Sequence, residues 1–328
     1  MQLYNKLSSK ERAVLIDESN RERITLSFYQ YAKILDLHSL RDQLFLKWDS
    51  LDVLGRIYLA DEGINAQLSI PKDNFSQFKT HLKSVSFLKS TSLNIAVEHN
   101  NKSFLKLKVK VRDKIVADGL NDKTFDVTNT GVHLDAVEYN KLADEENSIV
   151  VDMRNHYESE IGHFKNAITP DVDTFRGSLD IIEEDLKDHK EDKNLIMYCT
   201  GGIRCEKASV FLRNKGFKKV YQLKGGIINY LEKIKKVKSL WKGECYVFDN
   251  RISVKHKLKQ GTYSICGGCR TPVSILEKKS KKYEAGVSCS NCHDSLTKNQ
   301  KERFRMRQKQ ISLAKQLGKK HTFQKEFK

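Results

Sequence analysis

LIMYCTGGIRCEKASVFLRNKG, residues 195–216, decides how the middle of this chain folds. Residues 195–199 are a short apolar run of strand length, bounded by polar sequence on the upstream side. The run from Arg204 to Gly216 has helical spacing, and Gly216 falls where a helix is capped. Thr200, Gly201, Gly202 and Ile203 leave room only for a tight turn between the two. Outward from this unit, SIVVDMR (148–154) and KKVYQLKGG (218–226) read as further buried strands, and GSLDIIEEDLKDH (177–189) as another helix. Buried strands alternating with helices predict an α/β domain with a mostly parallel sheet over 141–240. Such sheets hold ligands beyond the carboxyl ends of their strands. Cys199 sits at one of those ends.

The loop after that strand has a chemical logic. Backbone N–H groups at a helix start point outward, and the helix dipole adds positive potential. Gly201 and Gly202 let the chain curl around a large atom, and Arg204 adds a permanent cation. Together these form a nest of donors around the Cys199 sulfur that favours thiolate, or a persulfide, at neutral pH. A cysteine serving only as core filler would need neither the paired glycines nor the arginine. Cys205, in the first turn of the helix, either resolves an oxidised Cys199 or packs beneath the loop. Asp152 and Arg154 either orient the loop through charge-assisted hydrogen bonds or form a structural ion pair with Glu158 or Glu160. His163 reads as a hydrogen-bonded turn residue.

Upstream, RITLSFYQYAKI (23–34) reads as a strand and DLHSLRDQLFLKWDSL (36–51) as a helix with Asp36 at its N-cap. Two strands, VLGRIYLA (53–60) and INAQLSI (64–70), are joined through DEG. A second helix follows over 71–85, and 94–112 supplies a last strand or hairpin. The order β-α-β-β-α-β predicts a ferredoxin-like α+β domain over residues 1–112. Gly63 is accounted for by the tight turn. Residues 113–140 read as a connector.

The 328 residues carry a net charge of +17. Residues 296–328 form a basic tail holding eleven Lys or Arg against two Glu, an arm suited to a polyanion. No apolar run is long enough to cross a membrane, and the N-terminus lacks a signal peptide's apolar core. The expected setting is the cytoplasm, with no membrane partner. Cysteines there are metal ligands or reactive thiols more often than disulfides. In the segment 241–295, Cys266-x-x-Cys269 and Cys289-x-x-Cys292, nineteen residues apart, have the spacing of a four-thiolate structural zinc site. Unliganded thiols in a loose segment are the alternative. Cys245 has no partner at metal spacing.

VVDMRNHYESEIGHFKNAI, followed by the loop and YQLKGGI, resembles a rhodanese domain. That resemblance sets Cys199 as the residue opening a six-residue active-site loop closed by Arg204. YLADEGINAQLS ahead of such a domain, the CTGGIRCEK form of the loop and the cysteine-bearing C-terminal region resemble the bacterial tRNA uridine hydroxylase family. This implies oxygen-dependent conversion of the wobble uridine of tRNA to 5-hydroxyuridine. The implied co-substrate is molecular oxygen, with an electron donor the residues do not specify, and the implied partner is tRNA. The competing function is a rhodanese-type sulfurtransferase working through a Cys199 persulfide. It uses the same loop, but needs neither the N-terminal domain nor the basic tail. A non-catalytic RNA-binding protein is a third reading, and an intact Cys199 and Arg204 argue against it.

Overall fold

The structure, a computed structural model, describes residues 3, 5, 7–95, 103–120, 129–249 and 251–317. Two compact units divide the chain, residues 1–260 and 261–328.

The first unit begins with helix α1 (Ser9–Ser19), opened by a capping box in which Ser8 and Glu11 satisfy each other's backbone amides. Then come β1 (Arg23–Tyr31), α2 (Leu37–Ser50), β2 (Leu54–Ala60), β3 (Gly63–Pro71), α3 (Phe75–Ser84), β4 (Asn94–Ile95) and β5 (Leu107–Val111). Asp36 caps α2 as expected, accepting the Ser39 amide at 2.9 Å. The sheet runs β4-β1-β3-β2-β5. The first four strands have the ferredoxin-like order, antiparallel throughout, and β5 joins β2 in parallel. Residues 94–112 are therefore not a hairpin: β4 and β5 lie on opposite edges of the sheet. Ile24, Leu26, Phe28, Ile57, Leu59, Ala66 and Leu68 enter one core with Leu44, Trp48 and Phe78 of α2 and α3. The alternate residues of each strand point to the other face of the sheet.

The second layer of this unit comprises β6 (Val132–Leu134), α4 (Ala136–Ala143), β7 (Ser148–Asp152), α5 (His156–Ser159), β8 (Gly162–Phe164), α6 (Phe175–Asp185), β9 (Asn194–Tyr198), α7 (Ile203–Asn214), β10 (Val220–Leu223), α8 (Gly226–Lys233), β11 (Trp241–Gly243), β12 (Cys245–Tyr246) and β13 (Ser253–Val254). A parallel sheet runs β6-β10-β9-β7. Every residue of β9 is buried, because one cluster built on Tyr139, Phe164 and Tyr230 covers one face and another built on Met153, Leu179 and Phe211 covers the other. That two-sided burial explains the unbroken apolar run before Cys199. Residues 132–140, within the expected connector, supply strand β6 and most of α4. Residues 241–260 belong to this unit too, since β11 pairs antiparallel with β8.

The second unit holds β14 (Ser264–Ile265), β15 (Pro272–Val273) and helix α9 (Lys298–Gln316). Its small core is Cys266, Val273, Cys289 and Cys292. The first half of the basic tail is α9, and it is tied to the cysteine segment. The Arg305 guanidinium meets Glu284 in two hydrogen bonds of 2.7 Å. Arg307 donates to the carbonyls of Gly267 and Gly286 at 2.5 and 3.0 Å. The remainder of the tail, residues 318–328, lies outside the described residues. Among the described residues no helix is long and apolar enough to cross a membrane.

Candidate active site

β9 ends at Tyr198, and the chain turns through Thr200, Gly201 and Gly202 into α7. The Gly202 amide donates to Cys199 Sγ at 3.1 Å. Gly202 has φ +101, and a Cβ there would lie 2.8 Å from the Tyr29 hydroxyl. Glycine is therefore required on both backbone and packing grounds. Gly226, with φ +65, lies against the loop from α8: a Cβ on it would meet the carbonyl oxygens of Cys199 and Thr200 at 2.5 and 2.6 Å.

Burial alone pushes the Cys199 thiol up. The hydrogen bond from the Cys205 thiol, the Arg204 charge and the amides of Cys205 and Arg204 outweigh it and bring the thiol down to about 6. Burial, then the Cys199 sulfur, pushes the Cys205 thiol well above its ordinary value, so Cys205 is the protonated donor of the pair. The loop's donors and the Arg204 charge favour the thiolate over the thiol in this geometry.

Arg204 is not a lone cation. Its guanidinium makes a two-pronged pair with Glu158, at 2.7 and 2.9 Å, and Glu158 is fully buried. Glu158 also accepts from Thr200 Oγ1 at 3.3 Å. Burial raises the Glu158 carboxyl, and Arg204 more than offsets that, leaving it below the ordinary range. α5 carries Glu158, so a four-residue helix fixes the orientation of the loop's arginine. Arg154 takes a different partner from those expected. It pairs with Asp152 at 2.8 and 2.6 Å and donates to the carbonyls of Glu158 and Gly162. This pair is fully buried, with the Arg154 guanidinium stacked near Tyr198 and Trp241. It shapes the ground beneath α5 and does not line the cavity. His163 Nδ1 meets the Ser159 carbonyl at 3.1 Å.

A cavity of about 460 Å³ opens over the loop. Cys199, Thr200, Gly201, Ile203 and Arg204 form one side of it, and Ser27, Tyr29, Asn65 and Gln67 of the N-terminal sheet form the other. Cys199 lies at its floor with no exposed surface, so a reactant meets the sulfur only as loop atoms part. The position a Gly201 Cβ would take is open space. Asn65 Nδ2 donates to the Ile115 carbonyl at 3.2 Å, which fixes the amide's orientation and leaves Oδ1 as an acceptor.

The next residues of the loop sequence are fastened to the N-terminal domain. Glu206 accepts from the Tyr29 hydroxyl at 3.0 Å, meets His133 Nε2 at 2.9 Å and accepts from Gln222 at 3.0 Å. Lys207, 2% exposed, pairs with Glu62 and lies 3.5 Å from Asp118. Tyr31 donates to the Ile203 carbonyl at 3.4 Å. The DEG turn thus contributes more than a bend: its glutamate is one side of a buried interdomain pair. Tyr29, Glu62 and Glu158 were not singled out as site residues from sequence, because each acts on α7 or its loop from more than forty positions away; Asn65 lines the cavity from the N-terminal sheet.

In the second unit, the four cysteine sulfurs lie within 4.8 Å of one another. The closest pairs, Cys269–Cys289, Cys266–Cys292 and Cys289–Cys292, are 3.6, 3.8 and 3.9 Å apart. A tetrahedron with zinc–sulfur bonds of about 2.3 Å has sulfurs about 3.8 Å apart. The amides of Gly268 and Cys289 point at the sulfurs of Cys266 and Cys292, at 3.3 and 3.4 Å, as donors do toward thiolates. The donor set and spacing fit a four-thiolate metal.

A nest-bound cysteine at the end of a central parallel strand, in a domain set against a ferredoxin-like sheet, defines a two-module class. Residues 135–233 match the rhodanese-like domain, and residues 23–115 match the UPF0176 acylphosphatase like domain. The chain is 50% identical to the tRNA uridine(34) hydroxylase of Pelagibacter ubique, over 92% of this chain and 98% of that one. It is 49% identical to the protein of that name from Leptospira interrogans, over 89% of this chain and 76% of that one. This chain belongs to the tRNA uridine(34) hydroxylase family. Among solved structures it is similar to a rhodanese-like domain from Anabaena, at 21% identity and TM-score 0.27, covering 34% of this chain and 78% of that one.

Proposed function

We propose that the protein hydroxylates uridine 34 of tRNA, at C5 of the base, with molecular oxygen as co-substrate and Cys199 as the reacting group. The observation that carries the reading is a thiolate-stabilising loop facing a cavity of nucleotide size in a chain of this family. Relatives named as hydroxylases favour it over the sulfurtransferase reading, which the loop alone would serve equally well.

The chemistry available to a thiolate here is addition to C6 of uracil. The sulfur–C6 bond forms, the C5–C6 double-bond electrons move toward O4, and C5 becomes nucleophilic. Oxygen transfer to C5, loss of the C5 proton and departure of the thiolate restore the double bond. With dioxygen, the second oxygen atom leaves as water, which takes two electrons and two protons from a reductant. Arg204 holds the thiolate, Cys205 donates to it, and Thr200 links the loop to Glu158. Asn65 Oδ1 would accept from N3–H of uracil, a hydrogen that neutral cytosine lacks.

Two results are expected. Alkylation of Cys199 should rise through a midpoint near pH 6, and Cys205→Ala should move that midpoint upward by removing a donor to the thiolate. A midpoint near the ordinary thiol value in the parent protein refutes the thiolate reading. Zinc is the metal proposed for Cys266, Cys269, Cys289 and Cys292, where it would supply the stability a core of four residues lacks. Metal analysis should give one zinc per chain, and Cys289→Ser should lose it and leave residues 261–317 open to protease. Full protease resistance of metal-free protein would overturn the assignment.

A further inference from the structure

We infer that the face of the N-terminal sheet turned away from α2 and α3 carries, around Tyr58, a track for the phosphate backbone of a single RNA strand, leading to the cavity over Cys199. The inference rests on the uridine reading above for the identity of the RNA. Strand register carries it. On the face turned away from α2 and α3, Lys110 stands beside Tyr58, Tyr58 beside Asn65, and Asn65 beside Tyr29. The neighbouring row is Lys108, Arg56, Gln67, Ser27 and Asn94. The first row crosses β5, β2, β3 and β1, a span of about 14 Å at the usual strand spacing, and the second runs one strand further, to β4. The inner ends of both rows line the cavity that Cys199 floors. Their outer ends are cationic.

The outer end has the composition of a single-strand site: cations beside an aromatic ring. The Arg112 guanidinium lies 5.7 Å from the centre of the Tyr58 ring. Among the described residues, no carboxylate forms an ion pair with Arg56, Lys110 or Arg112, while Lys108 has a partner of its own. Burial, then the charges of Lys110, Lys106 and Arg56, depress Lys108, so the cations repel one another. Like charges held together, as Arg56, Lys110 and Arg112 are here, invite an anion. Lysines on an edge strand also guard against edge-to-edge pairing. That role covers β5, but not Arg56 on the inner strand β2, nor the rows that run on into the cavity.

The test uses the full chain and an anticodon stem-loop with uridine at position 34. The triple variant Arg56→Gln, Lys110→Gln, Arg112→Gln should bind it at least about tenfold more weakly. The slope of log affinity against log salt should fall by about 2, as for three lost phosphate contacts on a single strand. Turnover at saturating RNA should be kept, so the loss appears in KM. A second triple at exposed lysines elsewhere, Lys218→Gln, Lys236→Gln, Lys238→Gln, removes the same charge and should leave the slope alone. Equal slopes for the parent and the first triple, or an equal drop in both triples, overturns the track. The binding arm needs no turnover: if the parent binds with the expected slope difference but makes no hydroxyuridine, the reaction reading falls and the track stands.

Discussion

Cys199→Ser is expected to reduce hydroxyuridine formation by more than about 10³-fold, the scale seen when a covalent nucleophile is removed. Serine keeps the size of the side chain and loses the low-energy anion. The amides of the loop can stabilise a thiolate near neutrality, whereas an alcohol stays protonated there. The variant should fold, since the side chain contributes little to the surrounding core beyond its volume. The measurement is nucleoside mass spectrometry on tRNA incubated with the protein and dioxygen labelled with heavy oxygen. The label also separates the two chemistries, because a sulfur transfer would introduce none. Parent-level labelled product from the serine variant eliminates the covalent route. A sulfur-bearing, unlabelled nucleoside from the parent would instead favour sulfurtransfer.

Lys207→Met is expected to cost about 3–5 kcal/mol, the usual result of removing one partner from a buried charge pair. Lys207 Nζ meets Glu62 and lies 3.5 Å from Asp118, which is fully enclosed. Glu62 also accepts the Ile115 amide at 2.8 Å, so it cannot swing out to water without breaking that bond. Without the ammonium, Glu62 loses that cation in a poorly solvated space, whereas Asp118 keeps Lys114 Nζ at 2.7 Å. For a unit of this size the melting midpoint should drop by about 10 °C. Adding Glu62→Gln should restore part of the loss, because it removes the stranded charge. An unchanged midpoint for Lys207→Met would show that the pair contributes nothing to stability. The interdomain contact would then have to rest on Tyr29 and Tyr31.

The strand, loop and helix around Cys199 were legible because three local signals agree there: an apolar run, paired glycines and a helical period. The ferredoxin-like order was legible for the same reason, since each of its elements is long enough to show a period. What escaped were features decided at a distance. That 94–112 splits between two sheet edges depends on which neighbours each strand finds, and its alternating pattern is the same in either case. Strand β6 is three residues long, too short to carry a period. α1 shows its capping box in sequence, but its apolar residues keep no single face. Glu158 looks like any surface glutamate on a four-residue turn. Only its place beneath Arg204, forty-six positions on, makes it part of the site. The cysteine spacing was readable because it is local, and the sulfur distances agree with it.

Three consecutive residues of α7 look in three directions. Cys205 faces the thiolate, Glu206 faces the hydroxyl of Tyr29, and Lys207 faces the glutamate of the DEG turn. One helical turn therefore carries both a donor to the Cys199 sulfur and the anchors to a neighbouring domain. A rhodanese module cut free at residue 129 would keep its loop but leave Glu206 and Lys207 without these anchors. Transplanting the CTGGIRCEK segment into a stand-alone sulfurtransferase should likewise burden the host with an acid and a base that have no counterpart there.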